Sequence, residues 1–125
     1  MPNKNTTALG KIGEEQAASV LQAAGMEIIA KNYRSRLAGR QTGEIDIIAL
    51  DKNTLVFTEV KAWSSLELGD LQYGIDMKKQ RKIIKTAKYF LSENRKYNKM
   101  SIRFDVIFVK NNQVTHLASA FTESV

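Results

Sequence analysis

The chain has no cysteine, a single histidine and no apolar run near the roughly 18 residues that a bilayer-spanning helix needs. Without cysteine there is neither a disulfide framework nor a thiolate metal site. Any metal must be held by oxygen or by His116, which favours hard cations over zinc, and His116 has no partner at metal-binding spacing. It reads as a packed or surface strand residue. The first residues, Met1 to Thr7, are polar and carry no signal-peptide pattern or anchor, so a flexible N-terminus is expected over 1–7. No repeat, linker or low-complexity tract divides the chain. These absences lead to the expectation of a soluble, cytoplasmic protein with no membrane partner.

What is present fits one domain over 1–125: the sequence is 125 residues long and 43% hydrophobic, enough for one modest core. Nineteen Lys and Arg against thirteen Asp and Glu leave a net charge of +6, which favours polyanionic partners. Much of that charge is local. Between 78 and 99 lie Lys78, Lys79, Arg81, Lys82, Lys85, Lys88, Arg95, Lys96 and Lys99, with Glu93 as the lone acid. The stretch is either a track for a phosphate backbone or a solvated helix face that aids solubility.

Apolar residues recur at helical spacing from Ala8 to Ala24 (Leu9, Ile12, Ala17, Val20, Leu21), with Thr6 or Thr7 as a cap and Gly25 as a stop. Met26–Lys31 predicts a strand, and Tyr33–Thr42, polar and containing Gly39, predicts a loop that carries Arg34, Arg36 and Arg40. Gly43–Leu50 and Leu55–Ala62 are β-rich runs around the turn cluster Asp51 to Thr54, so they should pair as an antiparallel hairpin. The stretch from Trp63 to Asp76 predicts a loop. Ile83, Ile84, Ala87, Phe90 and Leu91 predict a second helix within 76–96, and Ser101–Val109 with Val114–Ala118 predict a closing pair of strands. The order α-β-β-β-α-β-β implies an α/β fold with one mixed central sheet flanked by helices.

The chemistry concentrates in the hairpin. Strand alternation puts Glu44, Asp46 and Ile48 on one face, and Leu55, Phe57, Glu59 and Lys61 on one face of the next strand. If those faces match, Asp46, Glu59 and Lys61 converge. Two carboxylates there would attract Mg²⁺ or Mn²⁺, and a water on the ion becomes a candidate nucleophile with Lys61 to orient it or offset negative charge. The competing reading is a polar solvent face on which Lys61 pairs with Glu59 or Glu44. Both strands are apolar on either side of these charges, which implies a sheet covered on both faces, where carboxylates are costly unless paired or metal-bound. On the first helix Glu14 stands at the edge of the apolar stripe and can reach the sheet, whereas Glu15 points to water.

Taken together, Gly10, Gly13, Glu14 and Ala17, then Asn32-Tyr33-Arg34, Gly43-Glu44-Ile45-Asp46, Phe57, Glu59-Val60-Lys61, Lys79-Gln80-Arg81 and Arg103-Phe104-Asp105 resemble the YraN family. That family lies within the restriction-endonuclease-like, PD-(D/E)XK superfamily, which includes archaeal Holliday-junction resolvases. The resemblance covers most of the chain. It implies Asp46 and Glu59 as metal ligands, Lys61 as the motif lysine and Glu14 as the acidic residue from the first helix. Glu44 also matches, without an assigned role. Where the family commonly has Arg two residues after the lysine, this chain has Trp63, which packs in the core or stacks on a base.

The expectation is therefore a nucleic-acid-binding protein, with DNA as partner, acting as a Mg²⁺- or Mn²⁺-dependent endonuclease that is structure-selective or weakly specific, since no base-reading module is evident. Its catalytic residues are Glu14, Asp46, Glu59 and Lys61, and Arg34, Lys79, Arg81, Lys82 and Lys85 bind nucleic acid. The alternative is a non-catalytic nucleic-acid-binding module working with repair or recombination partners. A third reading is an interaction protein with a basic surface. A homodimer is expected only by analogy with nucleases that must cut twice. Arg103 and Asp105 read as a structural ion pair.

Overall fold

The computed structural model describes residues 4–62, 75–110 and 112–123. Helix α1 spans Lys4–Ala23, β1 Glu27–Leu37, β2 Arg40–Asp51, β3 Thr54–Ala62, α2 Met77–Glu93, β4 Ser101–Lys110 and β5 Gln113–Phe121, with a 3₁₀ turn at Arg95–Tyr97. The sheet has five strands in the order β1-β2-β3-β4-β5. Only the β3–β4 neighbours are parallel; the other three pairs are antiparallel. This mixed sheet flanked by two helices is the expected α/β architecture.

Both faces of the sheet are covered. Leu21, Ala17, Ile47, Val56, Ile107 and Val109 pack together under α1. On the other side Ile83, Ala87 and Phe90 of α2 meet Ile45, Ile48, Leu55, Phe57, Phe104 and Phe108. Phe57 joins helix and sheet in this layer, edge-on to Phe90 with centroids 5.9 Å apart and stacked on Phe104 at 5.7 Å. Burying rings this large supplies much of the drive for α2 to dock.

Local signals set several boundaries. Gly25, at φ 93°, ends α1 in the left-handed conformation that glycine adopts cheaply, and the Met26 amide returns to the Leu21 carbonyl at 3.0 Å. Asp76 caps α2, its side chain accepting from the Lys79 amide at 2.8 Å. The β2–β3 turn closes at Asp51↔Thr54, as the turn cluster predicts.

Other expectations are corrected. Helix α1 begins at Lys4, so the backbone of Thr6 and Thr7 lies within it rather than capping it. Ile12, placed by periodicity on the apolar stripe, is 52% exposed. The predicted loop Tyr33–Thr42 is a β-hairpin: β1 and β2 pair to Leu37↔Arg40, across a turn whose Ala38 and Gly39 both have positive φ, 53° and 78°. Positive φ at both central positions gives a turn whose twist matches that of the strands. The expectations for Trp63, and for the 63–74 part of the loop from Trp63 to Asp76, fall outside the described residues.

Candidate active site

The site forms where β2 and β3 part company. Their pairing runs only from Asp51↔Thr54 to Ile47↔Thr58. Just beyond it the Val60 amide donates to Asp46 Oδ2 at 2.8 Å, a side chain taking the place of a ladder partner. Strict alternation also fails here, since Ile45 packs under α2 and Ile47 under α1. The simple two-face expectation for Glu44, Asp46 and Ile48 is thus corrected, yet Asp46 and Glu59 still come close enough to perturb each other's ionisation.

Two carboxyl groups so placed cannot both be ionised without cost. Burial, then the negative charge of Asp46, pushes the Glu59 carboxyl up to about 7. Lys79 opposes that shift from 3.2 Å, and the Glu59 side chain is 11% exposed. Burial also raises Asp46, with the Val60 amide working against it and the charge of Glu44 adding to it. Glu14 reaches the same region from α1. Its carboxyl is raised first by burial and then by Asp46, while a hydrogen bond from the Asn32 side chain lowers it. Glu15 is exposed, as helical phase predicts.

Lys61 lies at an exposed rim. With Glu59, Val60, Ala62, Ile75, Asp76 and Lys79 it lines a hollow of about 290 Å³. The structure thus links Glu14 to Asp46, Asp46 to Glu59, and Glu59 to the hollow that holds Lys61. Among the described residues there is no group of three or more His, Asp or Glu arranged to hold a metal ion. The donor set on hand is the Asp46–Glu59 pair. Two hard oxygen donors held together against their own repulsion suit Mg²⁺ or Mn²⁺, which usually keep several waters.

The expected nucleic-acid-binding residues divide. Lys79 and Lys82 of α2 join Gln41, Thr42, Gly43, Glu44 and Ile83 around a second hollow of about 250 Å³ beside the carboxylates. Arg34 stands close by on β1, paired with Glu44 at 3.7 Å on open surface. Lys85 is exposed. Arg81 is not brought to this side: it lines a separate hollow with Met77, Gln80, Ile84, Thr122 and Glu123.

Arg103 and Asp105 form the expected ion pair, Nε to Oδ1 at 2.9 Å and Nη2 to Oδ2 at 3.0 Å. Asp105 is fully buried and also receives His116 Nε2 at 2.7 Å and the Ser119 amide at 2.9 Å. Those three partners outweigh burial and hold its carboxyl below the usual range. Asp105 therefore ties β5 to β4.

Three features escaped sequence reasoning. Asn32 as the partner of Glu14 is one; its positive φ of 53° suits Asn, a residue that tolerates the left-handed region. Lys79 as the counter-ion of Glu59 is the second, and no spacing between a strand and a distant helix encodes it. The third is the β1–β2 hairpin arm, whose turn residues Ala38-Gly39 lack the usual Asn-Gly or Asp-Gly signal.

The model of an uncharacterised protein family, UPF0102, matches residues 13–109. A UPF0102 protein of Treponema denticola is 48% identical over 128 residues, covering 91% of this chain and 95% of the relative. A UPF0102 protein of Treponema pallidum is 40% identical, covering 98% of each, and one of Persephonella marina is 43% identical, covering 90% and 91%. No helix among the described residues is long and apolar enough to cross a membrane.

Proposed function

The chain belongs to the UPF0102 (YraN) family of the restriction-endonuclease-like superfamily, and from that membership we propose that it binds DNA and hydrolyses phosphodiester bonds with Mg²⁺ or Mn²⁺. The observation that carries this reading is the buried Asp46–Glu59 pair, whose proton affinity is raised first by burial and then, at Glu59, by the charge of Asp46. A protein tolerates such a pair at a cost, and a bound divalent cation offsets it.

Asp46 and Glu59 would hold the ion, with the Val60 amide fixing Asp46 Oδ2. The ion, when bound, supplies Lewis-acid chemistry, lowering the pKa of a water and offsetting charge on the phosphate. Lys61 at the rim of the hollow orients the attacking water or meets the developing negative charge. Glu14 adds a third carboxylate from α1. Lys82 and Arg34 take the phosphate backbone, which gives affinity without sequence choice.

A second reading, a nucleic-acid-binding module without hydrolysis, is favoured by two observations. Lys79 Nζ already neutralises Glu59 from 3.2 Å, and the described residues offer two clustered carboxylates rather than a three-donor group. Cleavage assays on linear, single-stranded, flapped and four-way-junction DNA with Mg²⁺ or Mn²⁺ separate the readings. Hydrolysis by the parent, reduced at least about 100-fold in Glu59→Ala, is the expected result. Salt-sensitive binding with no cleavage of any substrate would replace it by the second reading. An equal rate in parent and variant would remove Glu59 from the chemistry.

A further inference from the structure

The β1–β2 hairpin is longer than the sheet requires. β3 pairs with β2 only from Ile47 onward, so the stretch of β2 from Arg40 to Asp46 pairs with β1 alone. At about 3.3 Å per residue that is a two-stranded ribbon roughly 20 Å long. It is also stiff. Tyr33 packs edge-on to Phe90 with centroids 5.1 Å apart, and Ser35 and Thr42 hydroxyls bond across the strands at 2.9 Å. Gly43 lies so close to α2 that a Cβ there would sit 2.0 Å from Thr86 Oγ1. The tip closes through the tight turn at Ala38 and Gly39.

Beyond this anchored base every residue from 36 to 42 is exposed. Leu37, beside the turn, is 72% exposed, more than any other large apolar side chain among the described residues. An exposed leucine alone is ordinary. Its surroundings are not: Arg40 is its cross-strand partner, Arg36 precedes it, and Arg34, Lys79 and Lys82 lie toward the base beside the carboxylates.

We infer that this ribbon is a DNA-binding arm that enters a groove of the duplex and presses Leu37 against a base step while its arginines hold the flanking phosphates. Two-stranded ribbons fit a DNA groove, and apolar side chains flanked by arginine are the means by which proteins unstack and kink a duplex. The turn residues are small, Ala38 and Gly39, so the side chain that leads is Leu37. The inference rests on the DNA-binding reading above and not on hydrolysis. It gives the fold a means to select deformable DNA, because an already weakened step costs less to open.

The test uses the full chain and a duplex carrying 2-aminopurine at successive positions, a base whose fluorescence rises when it unstacks. The parent is expected to bind with an affinity that falls with salt and to raise fluorescence at one step. Leu37→Ala should abolish the rise and weaken binding about 10-fold, while Leu37→Phe retains it. Arg36→Ala with Arg40→Ala should lower the salt slope by about 2. Salt-dependent binding without a rise at any position, or a Leu37→Ala protein that matches the parent, overturns the arm while leaving DNA binding intact. No binding even at low salt overturns the DNA reading and the arm with it. Circular dichroism of each variant should match the parent, since Leu37 is on open surface.

Discussion

Glu59 carries an unfavourable ionisation that proton linkage makes measurable. Its carboxyl is raised to about 7 from the usual range near 4.5, so the folded chain binds that proton more tightly than the unfolded chain does. The stabilisation is complete below about pH 4.5, declines as pH rises through about 7, and is absent above. Removing the charge should remove the decline. In EDTA, Glu59→Gln is expected to be more stable than the parent at pH 8 by on the order of 2 kcal/mol and equal to it near pH 4, read from urea midpoints. The lost ion pair with Lys79, which is 54% exposed, subtracts little from that gain. Equal stability at pH 8 would mean that burial and the charge of Asp46 do not together raise the Glu59 carboxyl.

Elements succeed or fail by contacts that the chain does not announce. Helix α2 was legible because Ile83, Ala87 and Phe90 repeat at helical spacing, whereas its Asp76 cap emerges only in the structure. The meeting of Asp46 and Glu59 was legible from the two β-rich runs and their turn. The ribbon was not, since Tyr33 to Thr42 lacks apolar alternation, and its order comes from Gly43 lying flat on Thr86 and Tyr33 on Phe90. The break in alternation at Asp46 was equally hidden, because only the divergence of β2 from β3 produces it. Glu14 could be read from helical phase; Lys79 against Glu59 could not. One consequence is specific. Gly43→Ala drives a methyl into Thr86 Oγ1 and should cost about 1–3 kcal/mol, and adding Thr86→Ala should recover part of that loss. An unchanged urea midpoint in the single variant would show that α2 sits farther from the hairpin.

Across the whole molecule, order should grade from the central strands to the tip of the arm. Phe57, Val56 and Ile107 are fully buried with neighbours on both edges and both faces, whereas residues 36–42 have one another and solvent. Hydrogen exchange should therefore be slowest in β3 and β4 and faster by about 1,000-fold or more at the hairpin tip. Protection at Arg36–Thr42 equal to that at Ile107 would contradict a free-standing arm.

The single parallel seam, from Thr54↔Ser101 to Ala62↔Val109, has a further meaning. It joins a front half, α1 and the β1–β3 meander, to a back half, α2 and the β4–β5 hairpin. Glu14, Asp46, Glu59 and Lys61 all belong to the front; Lys79 and Lys82 belong to the back. A polypeptide divided after Ala62 would yield an acid-bearing piece and its base-bearing complement, each with an open sheet edge that the other fits. The Glu59–Lys79 contact thus crosses the seam, joining an acid of the front half to a base of the back.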